Sequence, residues 1–327
     1  MKKSIVFPIL FLAVCFFFQN VSAQTHEGNP FIKGKLMADP EVLFSEKTGK
    51  VYVYPTGGNA KPNTFGVYST EDLVHWNYEG IVLDLKDVPW AKSLPWAPSI
   101  IEKKTNGKYQ YFFYFCSDVK IGVAVGDSPT GPFRALDKPL IAERPAAAPH
   151  GVQIDPDVFQ DPQTGKYHLF WGNSYLATAE LNDDMVSLKP ETLRVLNIPG
   201  FFEGAHIFFR NGFYYLTWSK NDTRSVEYQL RYAYSRSIDG EWIIPEDNLL
   251  LFKIPEKQIY GPGHHSVLQI PGTDEWYVFY HPLRLPLRNG SWDRELCLDR
   301  LYFEKDGTLR RIIPTREGIT EPVSLQR

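Results

Sequence analysis

The sequence predicts an all-β chain folded as a five-bladed β-propeller, and three observations carry that reading. One pattern recurs five times: a polar or acidic residue opens an apolar strand, a turn follows, and an aromatic-rich strand runs back beside it. The copies lie roughly 50 to 60 residues apart, more than the ~40 to 45 of a compact blade, so loops carry the surplus. Helical signal is weak, while 25 prolines and 24 glycines punctuate short runs in a chain that is 15% aromatic.

The blades follow in order. The first copy, Met37 to Tyr54, reads M-A-D-P-E-V-L-F-S-E-K-T-G-K-V-Y-V-Y and has Asp39 at its head. The second, Trp96 to Phe115, has Ala97 in that slot. The third, Gly151 to Asn173, reads G-V-Q-I-D-P-D-V-F-Q-D-P-Q-T-G-K-Y-H-L-F-W-G-N and carries Asp155 there. The fourth, Glu203 to Trp218, is headed by Glu203, and the fifth, Gly263 to Tyr280, is looser. A further strand follows each hairpin: Phe65 to Thr70, Ile121 to Asp127, Tyr175 to Ala179, Leu230 to Ser235, and Leu296 to Leu301. Each blade then has three or four strands. The segment Glu71 to Trp76 reads as one helical turn at most, after a Ser/Thr cap.

Residues 1–23 have the parts of a signal peptide. Lys2 and Lys3 supply the charged end, Ile5 to Phe18 is apolar, and Val21-Ser22-Ala23 offers small residues for cleavage. The expected mature chain, 24–327, is exported to the periplasm or beyond and forms one propeller domain. A lipoprotein reading through Cys15 fits less well, because Val14 is bulky and the apolar run continues past the cysteine. No later run reaches the ~20 apolar residues that cross a bilayer as a helix. Without the leader, 33 basic residues face 38 acidic ones, a net charge of −5, which disfavours nucleic acid and anionic membrane as partners. Cys116 and Cys297 allow one bridge at most, and two buried thiols are the simpler expectation.

The innermost strand of each propeller blade lines the central channel, so residues that open equivalent strands converge at one end of the axis. Asp39, Asp155 and Glu203 would then form a carboxylate cluster. Taken singly, an Asp before Pro also reads as a strand-opening turn that caps its own backbone. Like charges gathered in a cleft raise one another's pKa and keep a carboxylic acid protonated near neutrality.

The chain resembles glycoside hydrolase family 43 in A-D-P at Asp39, W-A-P at Trp96, I-D-P at Asp155 with its G-K-Y-H-L turn, E-G-A-H at Glu203 with N-G-F-Y-Y-L, and G-P-G-H at His264. That resemblance implies an inverting hydrolase with Asp39 as general base, Glu203 as general acid and Asp155 as the residue that tunes the acid's pKa. The residues agree with these roles: Glu203 follows Phe201-Phe202, an apolar setting that raises a carboxyl pKa, and Asp39 has Lys35 nearby. On these grounds alone the reverse assignment of acid and base stays open.

Trp96 and Phe201 are candidates to stack on a sugar face, whereas Trp171 and Trp218 read as core between blades. Arg294 resembles the family's substrate-contacting arginine; a surface ion pair with Asp293 or Glu295 is the alternative. His206 is placed near the acid. The resemblance also implies a channel cation, calcium or sodium, approached by His264 partly through water. A hydrogen-bonded His264 in a water-filled channel is the alternative, because calcium prefers oxygen ligands. His264 and His265 point to opposite faces of a strand and cannot share one ion.

The expected substrate is a plant cell-wall carbohydrate, with α-L-arabinofuranosidase first among the family's activities. Endo-arabinanase, β-D-xylosidase and exo-β-1,3-galactanase are alternatives, and a non-catalytic carbohydrate-binding propeller is the alternative of another class. The chain ends soon after blade five, without the C-terminal β-sandwich of many β-xylosidases in the family, which leans toward a single-domain arabinan- or galactan-directed enzyme. Loops such as Pro55 to Asn63 and Leu83 to Leu94 are expected to select the sugar.

Overall fold

The second strand of each blade is apolar on both faces, as a strand covered on both sides requires. In Lys108–Ser117 (β6), Tyr111 and Phe113 pack toward the preceding blade while Phe112 and Tyr114 pack toward the next. The Asn106-Gly107 and Asn211-Gly212 turns have positive φ at both residues, the backbone that a two-residue hairpin needs.

A computed structural model describes residues 28–58, 61–288 and 290–325. The signal segment 1–23, Cys15 and the expected mature start at Gln24 lie outside the described residues. Helix among the described residues is confined to three single 3₁₀ turns, and the segment 71–76 is a series of bends over 71–75 with a bridge residue at Trp76.

The chain forms a five-bladed β-propeller, each blade a meander of antiparallel strands in chain order. Blade one holds β1 (Glu41–Ser45), β2 (Lys50–Tyr54), β3 (Thr64–Thr70) and β4 (Asn77–Asp84). Blade two holds β5 (Trp96–Thr105), β6, β7 (Lys120–Gly126) and β8 (Arg134–Ala135). Blade three holds β9 (Asp157–Gln160), β10 (Tyr167–Trp171), β11 (Leu176–Glu180) and β12 (Arg194–Leu196). Blade four holds β13 (Glu203–Arg210), β14 (Phe213–Lys220), β15 (Gln229–Ser235) and β16 (Leu249–Leu251). Blade five holds β17 (Gly263–Gln269), β18 (Trp276–His281) and β19 (Cys297–Leu301).

The first strands touch one another in sequence, β1 to β5, β9, β13 and β17, and β17 returns to β1. Five apolar clusters fill the five gaps between neighbouring blades. Trp171 and Trp218 belong to two of them, as core residues. Cys116 and Cys297 are free buried thiols in different blades.

Segments near both ends of the described residues help to close the ring. Asn29 and Phe31 donate backbone N–H groups to Arg316 and Leu296, and the Asn29 amide bonds the Leu298 backbone in both directions. Near the other end, Val323 N–H reaches the Asp72 carbonyl in blade one.

Candidate active site

Each first strand enters the channel through one residue with positive φ: Asp39 (52°), Ala97 (36°), Asp155 (57°), Gly204 (60°) and His264 (38°). In blades two, four and five the pairing register shifts at this point, between Trp96 and Ser99, Glu203 and His206, and Gly263 and Ser266. Irregularities of this kind re-aim side chains. The slot in blade four therefore belongs to Gly204, and Glu203 sits one residue earlier, corresponding to Trp96 in blade two. This corrects the sequence register, which put Glu203 level with Asp39 and Asp155. A Cβ on Gly204 would meet the His264 ring at 3.2 Å, so the slot is glycine where the two blades crowd.

Asp39, Asp155 and Glu203 nevertheless meet in one pocket of about 210 Å³, all nearly buried. Trp96, Phe202, Asn173, Thr223, His264, Trp292 and Arg294 also line it. Asp155, Glu203 and His264 each bring a side-chain atom within 4.8 Å of the others. Asp39 stands outside that group, on the Arg294 side.

Asp39 is gripped by donors. Thr56 donates its hydroxyl to Oδ2 and itself accepts the Ala97 N–H at 2.9 Å. Arg294 Nη1 and His264 Nδ1 each lie 3.3 Å from Oδ1. The Asp39 N–H points at His281 Nδ1, 3.1 Å away. Burial alone would raise this carboxyl, but His264 once protonated, the Arg294 charge, and His281 once protonated hold it well below the usual carboxylate range. Lys35, expected to do this, is an exposed side chain. Arg294 is buried against Asp39 and not on the surface with Asp293 or Glu295.

Glu203 behaves oppositely. Burial pushes its carboxyl up to about 7, with the Asp39 charge adding to the rise. Hydrogen bonds from the Tyr228 hydroxyl to Oε1 at 2.8 Å and from Asn173 Nδ2 to Oε2 at 2.9 Å act against it. Asp155 is raised too, by burial and then by Glu203 and Asp39, while its Oδ2 accepts the Gly204 N–H at 3.1 Å. These two neighbouring carboxyls bind and release their protons as a pair. One carboxyl ready to stay charged and another ready to carry a proton, set around one small pocket, are the two parts that acid–base hydrolysis of an acetal needs.

Phe201 is not part of the pocket: it packs half-buried on the core between blades three and four, and Phe202 takes the place expected of it. His206 is also absent from the pocket wall, because it lies two residues further along its strand than the Gly204 slot. There it belongs to a second ring of polar side chains, Glu41, Ser99, Asp157, His206 and Ser266. Four of these accept a backbone N–H from the next blade: Glu41 from Ile100, Ser99 from Val158, Asp157 from Ile207, and His206 from Val267. Ser266 closes the ring by donating to the Pro40 carbonyl.

In this ring Glu41, Asp157 and His206 each bring an atom within 4.8 Å of the others, a group that could hold a metal ion. Burial, and then the Asp157 charge, push the Glu41 carboxyl up to about 8, a strain that a cation would relieve. Both nitrogens of His206 are engaged, one with Asp157 Oδ1 at 2.8 Å and one with Val267 N–H, so the carboxylate oxygens are the available donors. His264, expected near a cation, lies in the layer above, where with Asp155 and Glu203 it forms the other group close enough to hold an ion.

Thr56, Asn173 and His281 were missed from sequence. Each lies at or just past the end of a second strand, at the rim where the first strand begins, and a polar residue after an apolar strand is the signal that could have found them. The loops 55–63 and 83–94 do not supply pocket residues among those described; segments 152–155, 173, 202–203, 222–223 and 292–294 do.

The family model described as glycosyl hydrolases family 43 matches residues 27–309. A beta-D-galactofuranosidase, xynD, of Aspergillus niger is 30% identical over 321 residues, covering 91% of this chain and 88% of that protein. A xylosidase/arabinosidase of Bacteroides ovatus is 27% identical, covering 89% and 98%. Among solved structures, a family 43 arabinoxylan arabinofuranohydrolase from Bacillus subtilis in complex with cellotetraose matches with TM-score 0.75 at 25% identity, over 92% of this chain and 71% of that one.

Proposed function

The chain belongs to glycosyl hydrolase family 43 and hydrolyses glycosidic bonds, and we propose that it is an α-L-arabinofuranosidase that removes single residues from plant polysaccharide side chains. The observation that carries this reading is the opposed pair of carboxyls in a pocket of about 210 Å³. A pocket below the ~300 Å³ of drug-sized sites suits one sugar ring better than a polymer running through. Relatives named for arabinosidase and arabinofuranohydrolase activity support the choice of sugar. The same pair of shifts weighs against a non-catalytic sugar-binding propeller, which has no use for an acid of raised pKa.

In the proposed mechanism Glu203 gives its proton to the departing glycosidic oxygen as the anomeric C–O bond breaks. Asp39 takes a proton from a water that forms the new C–O bond on the opposite face, so the anomeric centre inverts. Asp155, paired with Glu203, helps that carboxyl hold its proton. Arg294 keeps Asp39 ionised, and Trp96, stacked on Trp292 at 6.2 Å and 22°, offers a flat apolar wall to the sugar.

A second reading, β-D-galactofuranosidase, is favoured by the 30% identical relative of that name. Assay of the protein on 4-nitrophenyl α-L-arabinofuranoside, β-D-galactofuranoside and β-D-xyloside separates these readings. Fastest turnover of the arabinofuranoside is expected, and preference for either of the others overturns it.

A calcium ion in the channel would be held by Glu41 and Asp157, and it would supply positive charge below the catalytic layer. Added calcium should raise the melting temperature of the wild type and not of Asp157→Asn. The leader read at 1–23 supports an exported enzyme, and the mass of the secreted protein should match a chain starting at Gln24.

A further inference from the structure

Thr223 lies in the turn that follows β14 and borders the pocket, yet neither proton transfer uses it. Its Oγ1 is 3.0 Å from Arg294 Nη1 and 3.1 Å from His281 Nε2, all three residues being buried. A guanidinium only donates, so the first of these bonds is one that Thr223 accepts.

The direction of the second follows from the backbone. The Asp39 N–H is aimed at His281 Nδ1 at 3.1 Å, and a buried backbone N–H needs an acceptor. The Asp39 carboxylate oxygen Oδ1 also stands 3.2 Å from Nδ1, but the aligned hydrogen bond there is the one from the backbone N–H, so Nδ1 bears the lone pair. Burial, with the Arg294 charge adding to it, brings the His281 ring down to about 4, so at neutral pH it is neutral and its one proton sits on Nε2, facing Thr223. A hydroxyl oxygen has two lone pairs and one hydrogen. Arg294 and His281 fill both lone pairs, and the hydrogen remains.

We propose that Thr223 is a specificity-determining residue that presents the sugar with a hydrogen-bond donor and no acceptor, and so selects a glycone hydroxyl oxygen that accepts at that point. The Asp39 backbone sets the His281 tautomer, that tautomer sets the polarity of Thr223, and the polarity is read by the substrate. The proposal rests on the glycosidase reading of the pocket. A hydroxyl oxygen that accepts from Thr223 must send its own proton elsewhere, so a deoxy sugar lacking that one oxygen loses this bond and keeps the others.

The test compares 4-nitrophenyl α-L-arabinofuranoside with its 2-, 3- and 5-deoxy analogues on wild type, Thr223→Ser and Thr223→Val. Wild type and Thr223→Ser should share a penalty at one deoxy position of about tenfold in kcat/KM, the scale of one hydrogen bond. Thr223→Val should lose about tenfold on the parent sugar and show no penalty at that position, with the other two penalties intact. If Thr223 acted only by packing against Arg294 and His281, the valine variant would slow all four substrates alike and keep every deoxy penalty, which overturns the proposal. Should the valine variant not fold, Thr223→Ala carries the same comparison. A wild type that leaves the arabinofuranoside intact counts against the sugar assignment and not against Thr223, and the comparison then moves to deoxy analogues of the aryl glycoside that is hydrolysed.

Discussion

The Tyr228 hydroxyl donates to Glu203 Oε1 at 2.8 Å from a fully buried ring stacked on His281 at 5.8 Å. A bond of this kind stabilises the charged carboxylate, so it pulls Glu203 down while burial pushes it up. Tyr228→Phe removes the pull, and the acid then holds its proton to higher pH. The alkaline limb of the kcat/KM profile, which reports the acid, should move upward. A limb that stays or moves down contradicts the role given to Tyr228.

Tyr228 has its place because residue 263 is glycine. A Cβ there would stand 2.3 Å from Tyr228 Cε1 and 2.4 Å from Cδ1 of a fully buried ring. Gly263→Ala should cost about 1 to 3 kcal/mol of stability by overpacking and displace the hydroxyl from Glu203. Chemical denaturation together with the pH–rate profile checks both effects, and a variant as stable as wild type with an unchanged profile would show that the site tolerates the methyl.

Glu203→Gln separates proton donation from binding. Glycosides with poor leaving groups should lose nearly all activity, while aryl glycosides whose leaving group departs unprotonated are spared. Equal loss on both classes removes Glu203 from the role of acid. The same variant should be the more stable protein above pH 7. Folded Glu203 keeps its proton to about 7 against an ordinary value of 4.5, so the folded state binds more protons than the unfolded chain in that window and loses stability as pH rises through it. The gain in the variant should be on the order of 3 kcal/mol, closing below about pH 4.5.

Much of this arrangement was legible in the sequence because a propeller is periodic. Five copies of one strand pattern define five blades, and the heads of first strands must converge on the axis, which is how Asp39, Asp155 and Trp96 could be placed, whereas His264 came from the resemblance carried by G-P-G-H. What periodicity does not carry is a one-residue irregularity. The shift at Glu203–His206 moves Glu203 ahead of the slot and drops His206 into the ring below, and no composition signal marks it. Phe201 and Phe202 were exchanged for the same reason, since neighbouring residues point to opposite sides. Arg294 and Thr223 reach Asp39 across 255 residues and Arg294 across 71, respectively, contacts that depend on ring closure and not on any local pattern.

Asp155→Asn tests whether this carboxyl works through its charge. Asp155 and Glu203 repel when both are ionised, so removing one charge lets the other ionise more readily. The alkaline limb should move to lower pH while the acidic limb, set by Asp39, moves far less. Loss of rate with both limbs unmoved would mean that Asp155 acts by holding the Gly204 N–H, and with it the position of Glu203.

The anomeric configuration of the first-formed sugar tests most directly the assignment of Asp39 as base to an attacking water. Inverting hydrolysis needs carboxyls roughly 6.5 to 9.5 Å apart, with water between base and sugar; a retaining enzyme instead attacks with the carboxylate itself. Proton NMR during hydrolysis of 4-nitrophenyl α-L-arabinofuranoside should show β-L-arabinofuranose appearing first and the α-anomer growing in only by mutarotation. If the α-anomer is formed first, Asp39 does not activate water and the division of labour between Asp39 and Glu203 is wrong.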